Sequence, residues 1–249
     1  MSRCWLTGAS SGIGAALAHI LLEQGHQVAL GGRHADRLAP LAQKFPGQVI
    51  LVIGDLDKPE QVAGIAAQIE KAWGGLDMAI LNAGTCEYLE PGHFDPALVE
   101  RVMRTNLLGV SYCLAAALPL LRAGQRPHLV VMGSSVTWLA LPRAGAYGAS
   151  KAAVRYLVES QRIDLAHEGI AVTLVSPGFV DTPLIRRNDF PTRLPCPWKS
   201  TVPVFSHWCC ACQGHYPRAC VWHSANASPV MNRNDDPCVS QSSAVASRG

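Results

Sequence analysis

Short, almost continuous apolar runs recur along the first 185 residues, at Arg3–Thr7, Gln27–Leu30, Val49–Ile53, Met78–Leu81, His128–Met132 and Ala171–Val175. Between them apolar residues return at helical spacing, near 12–24, 35–44, 59–73, 95–123 and 148–168, the fourth stretch being long enough for two helices in succession. Strands without polar alternation belong to a parallel sheet whose two faces are both covered. Six of them separated by helices predict an α/β domain with a doubly wound parallel sheet, Rossmann-like, in which right-handed crossovers place a ligand at the strands' carboxyl ends.

The pattern stops near Pro191. Residues 191–249 hold one leucine, Leu194, and no isoleucine, yet seven of the 17 prolines, six of the nine cysteines and three of the six tryptophans. Neither a 3.6 nor a 2.0 period survives there. The chain therefore divides into a domain over 1–190 and an anomalous Cys/Pro/Trp-rich tail over 191–249, expected to be loosely packed. A shifted reading frame or an unrelated terminal exon accounts for such a change of composition. Within the tail, Cys209 and Cys212 followed by Cys220 and His223 have zinc-ligand spacing. Cys210, His207 and His215 crowd that spacing, so chance clustering is preferred and no metal is expected.

Charge changes the picture little. The net charge is +3, and the first 190 residues carry equal numbers of acidic and basic side chains, so the whole excess lies in the tail. Evenly mixed signs argue against a nucleic-acid partner. The sequence shows neither an uninterrupted membrane-length apolar run nor a basic-then-apolar leader, and a cytoplasmic location is the expectation. Cys4, Cys86 and Cys113 are scattered singly and read as small buried hydrophobes rather than a disulfide framework.

Candidate chemistry sits at the ends of the predicted strands. Thr7 to Gly14, TGASSGIG, joins the first strand to the first helix. Gly8, Gly12 and Gly14 let a diphosphate approach the free amides of the helix's opening turn, with Ser10 and Ser11 as further donors and Ile13 within the same turn. After the second strand stands Gly31-Gly32-Arg33-His34, with no carboxylate until Asp36. A ribose 2′-phosphate calls for an arginine at this place, a free 2′-hydroxyl for an acid, so NADP is favoured over NAD, with Arg33 as ligand and His34 as helper. A solvated loop arginine is the plainer alternative. Asp55, followed by Leu56, is placed either to bond adenine or to cap the helix that begins at Pro59. Asn82-Ala83-Gly84 ends the fourth strand with small residues that leave room for a cofactor.

Tyr147 and Lys151 are four apart at the head of an alanine-rich helix, so their side chains share a face. A tyrosine of pKa about 10 is a poor base at neutral pH, and a neighbouring ammonium is expected to lower that value. Ser134 ends the fifth strand, where its hydroxyl can bond a carbonyl oxygen; Ser135 competes for the role. Asn106 interrupts a helical stretch with an amide suited to holding a water or a backbone group.

Taken together, TGASSGIG at 7–14, Asp55, the NAG at 82–84, Asn106, Ser134, the YGASK of 147–151 and the PGFVDT of 177–182 resemble the short-chain dehydrogenase/reductase family, over about residues 3 to 187. The resemblance implies an NADP-dependent oxidoreductase that interconverts a carbonyl and an alcohol. Tyr147 would be general acid/base, with Lys151 tuning it and binding the nicotinamide ribose. Ser134 would orient the substrate oxygen, and Asn106 would support a water-linked proton relay. Pro177, Gly178, Val180 and Thr182 would meet the carboxamide and phosphates. It also implies a small carbonyl or alcohol substrate and a homodimer or homotetramer built on the helices near 107–123 and 148–168. A nucleotide-binding module that keeps the cleft but not turnover is the alternative. Family members place covering helices and a seventh strand where the tail lies. Their loss would leave the sixth strand as an exposed edge and admit water to the nicotinamide.

Overall fold

The computed structural model describes residues 1–185, so the tail beyond 190, its cysteine cluster and the expected absence of a seventh strand lie outside the described residues. Six strands, β1 Arg3–Leu6, β2 Gln27–Gly32, β3 Val49–Ile53, β4 Met78–Leu81, β5 His128–Met132 and β6 Ala171–Val175, pair in parallel in the order β3-β2-β1-β4-β5-β6. The chain winds outward from β1 to β3, returns to β4 and winds outward again, leaving a crevice at the carboxyl ends of β1 and β4 where the direction reverses. The Rossmann-like expectation holds. Among the described residues β6 is one edge of the sheet and β3 the other.

Six α-helices connect these strands: α1 Gly12–Glu23, α2 Ala39–Lys44, α3 Pro59–Trp73, α4 Pro96–Met103, α5 Gly109–Arg122 and α6 Gly145–Ala166. Local chemistry sets their ends. Pro59 and Pro96 occupy first-turn positions that need no N–H, and the Asp95 carboxylate accepts the Ala97 amide at 2.9 Å. Gly74 closes α3 in the left-handed conformation, φ 71°, returning its N–H to the Glu70 carbonyl. The Asp55 alternative of a helix cap is not realised. Lys58 occupies the cap position, and the Asp55 carboxylate instead accepts the Asp57 amide at 3.1 Å.

Successive strand residues face opposite layers. Trp5, Ala29 and Ala79 pack with Val62, Ile65 and Ile69 of α3 and Val154 and Val158 of α6, while Cys4, Leu6, Val28, Leu30 and Ile80 pack with Ala18, Leu21 and Leu22 of α1. Each layer buries ten or more apolar side chains to below a tenth of their surface, which makes the sheet the rigid platform on which the loops stand.

The predicted helix pair over 95–123 is continuous through a π-helical turn, Arg104–Leu108, that joins α4 to α5. The combined stretch Pro96–Arg122 is long and apolar enough to cross a membrane by length and composition. Here Val102, Val110, Leu114 and Leu121 carry its apolar side into the protein core.

Candidate active site

The glycine-rich turn is locked to the end of β4. Thr7, buried, accepts the amides of Asn82 and Ala83 on its hydroxyl at 2.9 and 3.1 Å, and the Asn82 amide nitrogen donates back to the Thr7 and Gly8 carbonyls at 3.1 and 3.2 Å. This close seam is why glycine is needed. A Cβ on Gly14 would stand 2.1 Å from the Gly8 carbonyl oxygen, and one on Gly8 would stand 2.9 Å from Ala83 Cα. Asn82 thus holds the turn in shape. Sequence reasoning placed Thr7 in the motif without singling it out; its signal was a β-branched hydroxyl residue at a strand end.

Above that seam the first turn of α1 is free for an anion. Ser11 occupies the cap position without a side-chain hydrogen bond, and no acidic residue lies in the first turn. Gly12 has φ 55°, and a Cβ there would meet the Thr182 side chain at 3.3 Å, so the loop carrying Pro177 to Thr182 lies against the turn. β2 ends beside it as well: the Ala9 amide donates to the Gly31 carbonyl at 2.9 Å, and Arg33 and His34 follow, exposed. Arg33 makes no hydrogen bond or ion pair among the described residues. Ser10 lies next to Gly32 on the same side, while the Leu56 side chain packs into the core, leaving its backbone at the third strand's end.

The predicted catalytic quartet converges on the same sheet end. Ser134, nearly buried after β5, lines one cleft with the Tyr147 phenol. Ser135 lines the same cleft, and its backbone amide donates to the Pro177 carbonyl at 2.9 Å. Lys151 is 4% exposed and donates to the Met132 carbonyl at 2.8 Å. Its Nζ lies 3.5 Å from where a Gly84 Cβ would be, so tyrosine, lysine and the NAG turn stand on the same edge as the glycine-rich turn, not across the sheet from it.

Asn106 is fully buried in the π-helical turn. Its side-chain oxygen accepts the Thr85 amide at 2.7 Å, and its nitrogen donates to the Thr85 carbonyl and to Ser150 Oγ, both at 2.9 Å. Ser150 in turn donates to the Tyr147 carbonyl at 2.8 Å. Both amide hydrogens of Asn106 are therefore engaged, and Ser150 joins the tyrosine's helix to the NAG turn. Ser150 was not anticipated: within YGASK it reads as one more small helical residue.

Electrostatics correct one expectation. Burial, not the lysine, dominates at Tyr147 and holds the phenol above its ordinary value, with the neighbouring Ser134 opposing and Cys86 adding to it. Lys151, also by burial, falls to about 8. Cys86, read from sequence as a small buried hydrophobe, is buried, and it lines the cleft beside Tyr147 and Ser134, together with Val136, Leu141 and Phe179. No cluster of metal-binding side chains occurs among the described residues.

A switch-point crevice over an uncapped glycine-rich turn, facing a tyrosine, a lysine and a serine, defines a nucleotide-dependent oxidoreductase site. Residues 3–190 match the short chain dehydrogenase family, and the chain belongs to it. The chain is 34% identical over 183 residues to the cis-4-hydroxycyclohexanecarboxylate dehydrogenase of Sinomonas cyclohexanicum, covering 72% of this chain and 74% of that protein. Among solved structures it is similar to an alcohol dehydrogenase from the archaeon Thermococcus sibiricus complexed with 5-hydroxy-NADP, with TM-score 0.69 and 30% identity over 74% of this chain and 79% of that one. It is likewise similar to the Pseudomonas aeruginosa RhlG/NADP active-site complex, with TM-score 0.70 and 30% identity over 74% and 75% of the two chains. The protein is an NAD(P)-dependent oxidoreductase acting on CH–OH groups.

Proposed function

We propose that the chain is an NADP-dependent carbonyl reductase or alcohol dehydrogenase of small molecules, in which Tyr147 moves the proton. The observation that carries this is that Tyr147 and Ser134 line one cleft at the sheet edge that holds the turn of Gly8, Gly12 and Gly14. NADPH, when bound, supplies the hydride for the carbonyl carbon. Ser134 holds the substrate oxygen next to the phenol, and Tyr147 gives it a proton; a phenol held above its ordinary pKa is the protonated acid at neutral pH. Lys151 stands one helical turn further on, within reach of a ribose at Gly84, and Asn106 fixes Thr85 so that this turn keeps its shape.

The cradle suits a dinucleotide because a Cβ would fill it at Gly14 and close it at Gly84. Ser10, Ser11, Gly12, Ile13 and Gly14 would hold the diphosphate. Asp55 and Leu56 would meet adenine; Asn82, Ala83 and Gly84 would floor the site; Pro177, Gly178, Val180 and Thr182 would meet the carboxamide. Arg33, at the end of β2 and without a partner among the described residues, supports the choice of NADP, with His34 beside it. The relatives solved with NADP and 5-hydroxy-NADP point the same way. Tyr156 and Ile163, seven apart and largely exposed on α6, support pairing of two copies through that helix.

NADPH oxidation across a panel of aldehydes and ketones, measured beside NADPH affinity, tests the proposal. Tyr147→Phe is expected to lower turnover by about 10²–10⁴-fold while sparing most cofactor affinity. Tight NADPH binding with no turnover on any member would instead mark a nucleotide-binding module.

A further inference from the structure

The cleft beside Tyr147 has walls from three places. Cys86 comes from the loop after β4, Val136, Leu139 and Leu141 from the loop after β5, and Phe179 and Leu184 from the loop after β6. Its polar groups are hydroxyls: Ser134, Ser135, Tyr147 and Tyr88. No aspartate, glutamate, lysine, arginine or histidine lines it among the described residues.

Nearby cations are engaged in the fold. Arg143 lies between Leu141 and Ala144, yet its Nε donates to the Leu89 carbonyl at 2.9 Å and its terminal nitrogen to Glu90 at 3.2 Å. The Leu89 amide returns a bond to the Arg143 carbonyl at 2.9 Å, so this arginine is a clamp joining two walls. It holds φ 63°, the one non-glycine residue with positive φ among those described, and a strained backbone fixed by three such contacts marks a set geometry. Lys151 lies outside the described lining of the cleft and donates to the Met132 carbonyl at 2.8 Å, and Arg101 pairs with Glu87 at 3.1 Å.

From these walls we infer that the site takes an uncharged carbonyl or alcohol whose non-reacting part is apolar, and excludes substrates bearing a carboxylate or phosphate there. This rests on the cleft being the substrate site of the oxidoreductase proposed above. A hydroxyl pair answers a carbonyl oxygen, and aliphatic walls answer a hydrocarbon body. An anion entering them loses water and meets no cation among the described lining residues, which is a large penalty for a charge.

Two matched pairs test this with NADPH: 4-methylcyclohexanone against 4-oxocyclohexanecarboxylate, and 4-methylacetophenone against 4-acetylbenzoate. The neutral member of each is expected to be preferred about 100-fold in kcat/KM, the order of an unpaired charged group. Leu139→Arg, at a half-exposed position of the rim, is expected to narrow the preference at least tenfold by improving the carboxylate member. Affinities of the same four ketones for the NADPH-saturated protein, measured by saturation-transfer NMR, give the ratio independently of turnover. If no ketone is reduced, the proposed function fails, while the affinity ratio still decides the substrate class. Equal or reversed preference, or binding of neither member, overturns the inference.

Discussion

The Lys151 ammonium donates to the carbonyl of Met132, the last residue of β5, from a position where almost no water reaches it. That burial lowers its pKa to about 8, below the ordinary 10.5. Between those values the unfolded chain binds more protons than the folded one, so this group makes stability rise as pH rises from about 8 toward 10.5. The penalty is fully present below pH 8. Comparing urea unfolding of the wild type with Lys151→Met isolates the effect from the thiols of Cys4 and Cys113, which burial pushes up to about 12 and which act in the opposite sense. The stability difference should move toward the wild type by roughly 3 kcal/mol at most across that window. A flat difference would show that the ammonium is not buried.

Glycines at two places should respond oppositely to alanine. A Cβ on Gly14 would press on the Gly8 carbonyl at 2.1 Å and on the Asn82 amide nitrogen at 2.6 Å, contacts that only a shift of the turn relieves. Gly64, inside α3, has nothing within 4 Å. Gly64→Ala is expected to raise stability by about 0.5–1 kcal/mol through helix propensity and to leave NADPH affinity alone. Gly14→Ala should lower both, read by thermal unfolding and by cofactor fluorescence. An alanine at 14 that binds NADPH normally would mean the seam between β1 and β4 is looser than it stands here.

Much of this arrangement was legible beforehand, because a two-sided parallel sheet writes its strands as unbroken apolar runs. The bounds of β3, β4, β5 and β6 match the runs, β1 ends one residue earlier at Leu6, and β2 runs on to Gly32. The π-helical turn was not legible, since one extra residue in a helix barely changes side-chain periodicity over so short a span. α6 starts at Gly145 rather than 148, because the Ala144 carbonyl takes the Gly148 amide and Gly145 and Ala146 join the turn. The quartet could be found from motif spacing, but its electrostatics could not: the rise at Tyr147 comes from burial by chain segments distant in sequence. Cys86 is buried and unpaired as read, but its place beside a cleft was not legible, as a buried thiol reads alike whether it faces the core or a cleft.

Asn106 clamps Thr85 by both its amide and its carbonyl, with no water to replace what is lost. Asn106→Ala leaves two backbone groups without their partner and is expected to cost about 2–4 kcal/mol in urea unfolding. Asn106→Asp keeps the acceptor for the Thr85 amide and loses the two donated bonds. It should therefore lower turnover through the displaced NAG turn even in buffers where the protein remains folded. Full activity in a folded Asn106→Asp protein would rule out the clamp as a support of the site.

Arg33 leaves β2 beside Ser10 and has no partner among the described residues, so its guanidinium is not committed to the fold. Replacing it should cost little stability. If it holds a 2′-phosphate, Arg33→Ala forfeits charge-assisted hydrogen bonds worth about 1.5–3 kcal/mol, a loss of roughly 10–100-fold in NADPH affinity. NADH has no group there and should bind as before. Arg33→Asp goes further, since a carboxylate repels the phosphate and accepts from a free 2′-hydroxyl, and it should invert the preference toward NADH. Titrating both cofactors against the three proteins gives the answer. A uniform loss for NADPH and NADH alike would locate Arg33 in the packing of the turn instead of at the phosphate.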